Sequence, residues 1–197
     1  VHVSCLAEQA KILCDEAEEN NLDIKVQQAK WDRWDMCGLC EQGYHGVVAC
    51  ALGWACWKTY LGRPEANNAR CLAMNVLGAG LGAARHGDDA LSVYEANLSL
   101  LRRIGASARS IHNARSNLAN TYAELGRVDE ALRLKRDIYR ESLMLFGEEH
   151  GDTLTVASNY ASSLLDLRRF KETKALLRKT IPAARRVLGD NDEITLR

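Results

Sequence analysis

The chain has 197 residues, 47% of them hydrophobic and 26% charged, enough apolar material for one elongated domain or two small ones and too much for a disordered segment. Basic and acidic residues number 26 each, and this neutral balance disfavours a nucleic-acid module, which would carry a basic stripe. The longest apolar stretch, Gly46 to Trp57, is shorter than the ~18 residues of a membrane span, and the first residues lack the basic region of a signal peptide.

All seven cysteines lie at or before position 71, namely Cys5, Cys14, Cys37, Cys40, Cys50, Cys56 and Cys71. An odd, unevenly spaced set is a poor disulfide framework and suits a reducing compartment. The expected location is therefore the cytoplasm, with an organelle left open. The sequence starts without Met and reaches Arg197 where another repeat unit would begin, so it reads as a segment of a longer chain.

Taken in order, residues 1–20 predict a helix, with Leu6, Ala10, Leu13 and Ala17 on one face and Glu8, Lys11, Asp15 and Glu18 opposite. Asn20 and Asn21 break it. Residues 22–36 read as a short helix in which Trp31 and Trp34, three apart, dock on the next element. The three glycines of 36–46 predict a loop, and 47–61 a buried helix apolar nearly all round. Gly62-Arg63-Pro64 ends that helix, and Pro64 is expected in the first turn of a helix over 65–85. Gly78, Gly80 and Gly82 on that helix permit close approach of a neighbour, at about 1 kcal/mol each relative to Ala. Helices follow at 88–104, 108–125, 128–146, 152–168 and 170–188, with Pro182 expected to bend the last. Arg102, Arg103, Arg109 and Arg115 read as a solvated face.

A unit repeats along the second half. Residues 116–147 overlay 158–189 at a shift of 42, matching Ser116 with Ser158, Asn117 with Asn159, Ala119 with Ala161, Leu125 with Leu167, Glu130 with Glu172 and Gly147 with Gly189. A looser copy starts near Asn75, where Leu77, Asp88, Ala90 and Leu91 precede Leu118, Asp129, Ala131 and Leu132 by 41. Leu118, Tyr122 and Leu125 share a helical face, Gly126 supplies the left-handed position that ends a helix, and Asp129 and Glu130 favour the positive start of the next. Each copy is thus two helices and a tight turn, and a series of such units forms a solenoid. The expected domains are an N-terminal helical segment, 1–64, containing a Cys/His loop at 36–50, and a repeat region, 65–197. Its copies run over about 65–105, 106–147 and 148–189, followed by the start of a fourth. Heptads of a coiled coil are absent.

The period of 42 and the phrases Asn117-Leu118-Ala119, Gly126-Arg127 and Phe146-Gly147-Glu148-Glu149-His150 resemble the tetratricopeptide repeats of kinesin light chain. Arg168 stands where the third copy should have its turn glycine, and Gly151 where the family has proline. The upstream stretch from Cys40 to Glu65 is similar to the N-terminal part of repeat proteins of marine algae such as diatoms, a likeness that implies no chemistry. The resemblance implies an all-α fold, a right-handed superhelix of helix-turn-helix units, that binds an extended peptide in its concave groove. It places Asn75, Ala79 and Ala83 in the groove from the first copy, and Asn113, Ser116, Asn117, Asn120 and Glu124 from the second. The third contributes Thr155, Ser158, Asn159, Ser162 and Asp166. Small polar side chains suit hydrogen bonds to a peptide backbone, and the two acids favour a basic peptide. The asparagines could equally serve only to satisfy helix-start backbone groups.

Cys37, Cys40, His45 and Cys50 have the C-x2-C-x4-H-x4-C spacing of a zinc knuckle, able to close a tetrahedron around one ion. Tyr44 stands where nucleic-acid knuckles have glycine. The same residues read equally as buried free thiols in an alanine- and cysteine-rich core, or as a Cys37–Cys40 redox pair. Glu41 is the only candidate base nearby, and no nucleophile motif or phosphate loop occurs, so no enzyme is expected. The expected function is a non-catalytic scaffold for a protein or peptide. Alternatives are a permanent subunit of a larger assembly and a zinc- or thiol-dependent switch.

Overall fold

A computed structural model describes residues 2–190 and 192–196. Among these residues the secondary structure is helical apart from one isolated antiparallel bridge, Met36 to Gly43. The helices are α1 (Val3–Glu19), α2 (Ile24–Trp31), α3 (Gly46–Tyr60), α4 (Asn68–Ala83), α5 (Gly87–Arg103), α6 (Ala108–Glu124), α7 (Val128–Phe146), α8 (Gly151–Asp166), α9 (Phe170–Leu188) and the short α10 (Glu193–Leu196). A 3-10 turn, Asp32–Trp34, follows α2. The chain divides into two compact units, residues 1–106 and 107–197.

The hairpins α4/α5, α6/α7 and α8/α9 are the three sequence copies, and the same two devices shape each. The first helix of every hairpin is capped by a side chain. Asn67 accepts from Ala69 N (2.9 Å), Ser107 from Ser110 N (3.2 Å) and His150 from Asp152 N (3.2 Å). Asp192 does the same for Ile194 N (2.9 Å) as α10 begins. Each cap satisfies an amide that the first helical turn leaves without a partner. Pro64 therefore lies in the turn before α4, where its carbonyl accepts from Asn67 N, and not in the first helical turn.

The second helices have no side-chain cap and need none, because a tight turn feeds straight into them. At that turn Arg85, Gly126 and Arg168 all adopt left-handed backbone, with φ of 64°, 77° and 54°. The amide of the next residue reaches back to the helix: His86 N to Leu81 O (2.9 Å), Arg127 N to Tyr122 O (2.7 Å) and Arg169 N to Leu164 O (2.8 Å). This six-to-one bond is the helix stop that glycine makes cheaply and arginine does not. Acidic residues then occupy the first turn of each second helix, Asp88 and Asp89, Asp129 and Glu130, and Glu172. α9 continues through Pro182 as one helix.

In residues 1–106 the first copy is fused to the N-terminal helices by glycine. A Cβ on Gly80 would lie 2.5 Å from Ala49 O, and one on Gly53 would lie 2.9 Å from Leu77 Cα. α3 and α4 thus press backbone to backbone, with a glycine from each side. A Cβ on Gly78 would lie 2.6 Å from the Tyr94 ring of α5. Trp31 and Trp34 both pack on Tyr60 at the end of α3, with centroids 5.0 and 6.1 Å apart, and Ala10, Cys56, Ala73 and Val76 complete that core.

Candidate functional site

On α6, residues 113, 117, 120 and 124 advance by four, three and four, which is one helical stripe. Asn113, Asn120 and Glu124 are exposed, and Asn117 is half-buried beside them. On α8 the same stripe recurs 42 residues later as Thr155, Asn159, Ser162 and Asp166, all exposed. Each helix therefore shows the solvent a row of short polar side chains ending in a carboxylate. An ion pair between Arg109 and Asp152 (2.8 Å) crosses from α6 to the first turn of α8. Near the carboxylate end of α8, Lys135 of α7 donates to Ser163 Oγ (2.7 Å). Burial pushes the Lys135 ammonium below its ordinary range, and the nearby Asp166 partly restores it.

Other expected groove residues are placed differently. Asn75 is half-buried, and its Oδ1 accepts from Nδ2 of the fully buried Asn97 (2.8 Å), which also donates to Cys71 O (3.3 Å). Its side chain joins α4 to α5. Ser158 is half-buried in a narrow cleft between α8, Leu177 and Ile181 of α9, and Ile194 of α10, with the exposed stripe residue Ser162 at its rim. Ser116 is half-buried.

A polar chain that the repeat pattern does not announce links α6, α7 and α8. Ser142 Oγ lies 3.2 Å from His112 Nδ1, and His112 Nε2 lies 3.4 Å from Glu141 Oε2. Arg115 pairs with the same Glu141 oxygen, and Thr153 Oγ1 donates to Ser142 O (3.2 Å). The order serine, histidine, carboxylate is that of a hydrolase nucleophile. Ser142 has no exposed surface, however, so its oxygen cannot meet a substrate. A signal for this network was present in the sequence. The third copy carries Leu154, Ala157, Ala183 and Ala184 at the positions of His112, Arg115, Glu141 and Ser142, and three of those four form its apolar core with Leu188 and Ile194 packed against it.

The cysteine loop holds two of its four candidate ligands together. Cys37 lies in a turn closed by Cys37 N to Gln42 O (2.8 Å) and Glu41 N to Cys37 O (3.0 Å). Its thiol is held below the ordinary range by the amides of Cys40 and Leu39, the Cys40 side chain and, more weakly, the Arg33 guanidinium. His45 stands at the N-cap of α3 and Cys50 within that helix. Among the described residues no three His, Cys, Asp or Glu side chains converge where they could hold a metal ion. Cys56 and Cys71 are buried, and burial pushes both thiols up. All seven cysteines are free thiols.

Residues 110–186, which span most of α6 to α9, match the tetratricopeptide repeat family. The α6/α7 and α8/α9 hairpins are tetratricopeptide repeats. Among solved structures the chain is similar to BtubC (BKLC) of P. vanneervenii, with a TM-score of 0.60 and 18% identity over 73% of this chain. The chain spans 57% of the length of that protein. It is also similar to a Podosopora anserina protein classed provisionally as a kinesin light chain, with nearly identical TPR-like repeats, at a TM-score of 0.60 and 16% identity. That match covers 99% of this chain and 82% of the other, and a variant of the same protein matches over 100% and 82% with the same score and identity. At such identities the likeness shows a shared tetratricopeptide fold. No curated protein is significantly similar in sequence. No described helix is long and apolar enough to cross a membrane.

Proposed function

We propose that the protein is a non-catalytic scaffold that binds an extended, basic peptide along the polar stripes of α6 and α8. The observation that carries this reading is the recurrence of the stripe at the repeat period. Asn113, Asn117, Asn120 and Glu124 are followed by Thr155, Asn159, Ser162 and Asp166, seven of the eight exposed. A peptide backbone offers an amide and a carbonyl at each residue, and short side chains that both donate and accept can read either. The terminal carboxylates supply the charge preference. A net charge of zero favours a protein partner over nucleic acid. The free cysteines suit the cytoplasm.

Selection from a displayed random-peptide library is the test. Enriched peptides should carry Lys or Arg, and exchanging those residues for Glu should weaken binding at least about tenfold, a loss relieved by salt. Selected peptides without a basic bias, or with binding insensitive to Glu124→Gln and Asp166→Asn, contradict the reading.

A second reading, a permanent subunit of a larger assembly, is favoured by an apolar patch. Leu165 of α8 and Phe170 of α9 are 44% and 61% exposed and line one shallow surface with Leu177, Ile181 and Pro182. A stable complex recovered on purification from the native source, with Phe170→Lys abolishing it, supports that role.

A further inference from the structure

The loop between the 3-10 turn and α3 has the backbone of a chelating turn, and we propose that Cys37 and Cys40 bind one thiophilic dication of the zinc class through their two sulfurs. The C-x2-C spacing lets one turn present both sulfurs to the same point. The turn is already closed by the Met36–Gly43 bridge, the Cys37 N to Gln42 O bond and the Glu41 N to Cys37 O bond. Tyr44 N donates to Asp35 O (2.8 Å) and anchors the base of the loop. The amide of Leu39 points at Cys37 Sγ from 3.5 Å. An amide aimed at a ligating sulfur is an outer-shell bond that fixes the sulfur's direction.

Glu41, directly after the second cysteine, adopts left-handed backbone at φ 56°. A glutamate has no intrinsic preference for that conformation, so the turn around it is held by the rest of the loop. Arg33 lies over Gly38, its Nη1 3.3 Å from where a Cβ would stand, on the same small loop. A dication on two thiolates is neutral, so the guanidinium beside it is not repelled. Cys37 is half-buried and Cys40 exposed, which leaves the sulfurs accessible. The four-ligand spacing of the sequence thus contracts to two protein sulfurs, with solvent completing the coordination and the ion exchangeable.

The test uses the full chain, reduced and metal-free, titrated with Co2+ while the thiolate-to-cobalt charge-transfer band is followed, with Zn2+ as competitor. The band should saturate at one equivalent and disappear as Zn2+ is added. Cys37→Ser and Cys40→Ser should each abolish it, and Cys5→Ser, His45→Ala and Cys50→Ser should leave it within about twofold. A missing band, or one that survives Cys37→Ser, overturns the proposal. Loss of the band in both His45→Ala and Cys50→Ser overturns the two-sulfur form in favour of a four-ligand site. Recovery of Cys37 and Cys40 joined as a disulfide from cells lysed into an alkylating agent overturns it in favour of a redox pair.

Discussion

Gly126 and Arg168 occupy the same left-handed corner of successive repeats, 42 residues apart, and the backbone bond that depends on the corner is 2.7 Å in one and 2.8 Å in the other. The turn therefore survives the loss of its glycine, and arginine bears the steric cost of a left-handed residue. Arg168→Gly should stabilise the protein by about 1 kcal/mol, and Arg85→Gly, at the first-copy corner, should do the same. Gly126→Ala should destabilise by a similar amount. Thermal unfolding of the full chain checks this, with an expected shift of roughly 2–4 °C for each.

The backbone contact between α3 and α4 makes a sharper claim. Gly80→Ala should destabilise by about 1–3 kcal/mol, because its methyl meets the carbonyl of Ala49, which cannot rotate away. Gly78→Ala meets a side chain instead. Its cost should largely vanish in a Gly78→Ala/Tyr94→Leu double variant, and a urea-denaturation double-mutant cycle reads the coupling.

The buried His112–Ser142–Glu141 network can be converted into its apolar counterpart. His112→Ala alone should cost about 2–4 kcal/mol, since it opens a cavity and leaves the buried Ser142 hydroxyl without its ring partner, while Glu141 keeps Arg115. Replacing His112, Arg115, Glu141 and Ser142 together by the Leu, Ala, Ala and Ala of the third copy should cost far less than the sum of the single changes. Denaturation of the quadruple variant and of its four component single variants compares the two.

Lys135 stands where the third copy has Leu177, and its amine is depressed by burial. The folded state therefore bears a cost for the charge at every pH below the depressed value. That cost fades as pH rises through the folded value and is gone above the ordinary lysine value of about 10.4. Lys135→Leu should accordingly stabilise by about 1 kcal/mol at neutral pH, with the gain shrinking in alkaline buffer. A stability profile from pH 7 to pH 11 shows the trend.

These residues also show what the sequence could reveal. The repeats were legible because burial recurs at a fixed stride, so His112, Ala119 and Ala131 are buried as Leu154, Ala161 and Thr173 are, 42 residues on. Left-handed corners were legible at Gly126 and hidden at Arg85, where only the fold forces the conformation. The Asn67 cap was hidden because Pro64 offered a plausible earlier start. Asn75 looked like its relatives on α6 and α8, but its environment is set by Asn97, 22 residues away on α5. Cys50 stands in α3, which begins at Gly46, and among the described residues no three His, Cys, Asp or Glu side chains converge, an arrangement that spacing along the chain does not report.

The central claim is that the stripe of α6 and α8 is a peptide-binding surface. Its most direct test is the affinity of a library-selected basic peptide, measured by fluorescence polarisation, for the wild-type chain and for a folded Asn113→Ala/Asn120→Ala variant. Losing two side-chain hydrogen bonds of about 1 kcal/mol each should weaken binding roughly 30-fold with thermal stability unchanged. Equal affinity for the two proteins would contradict the account.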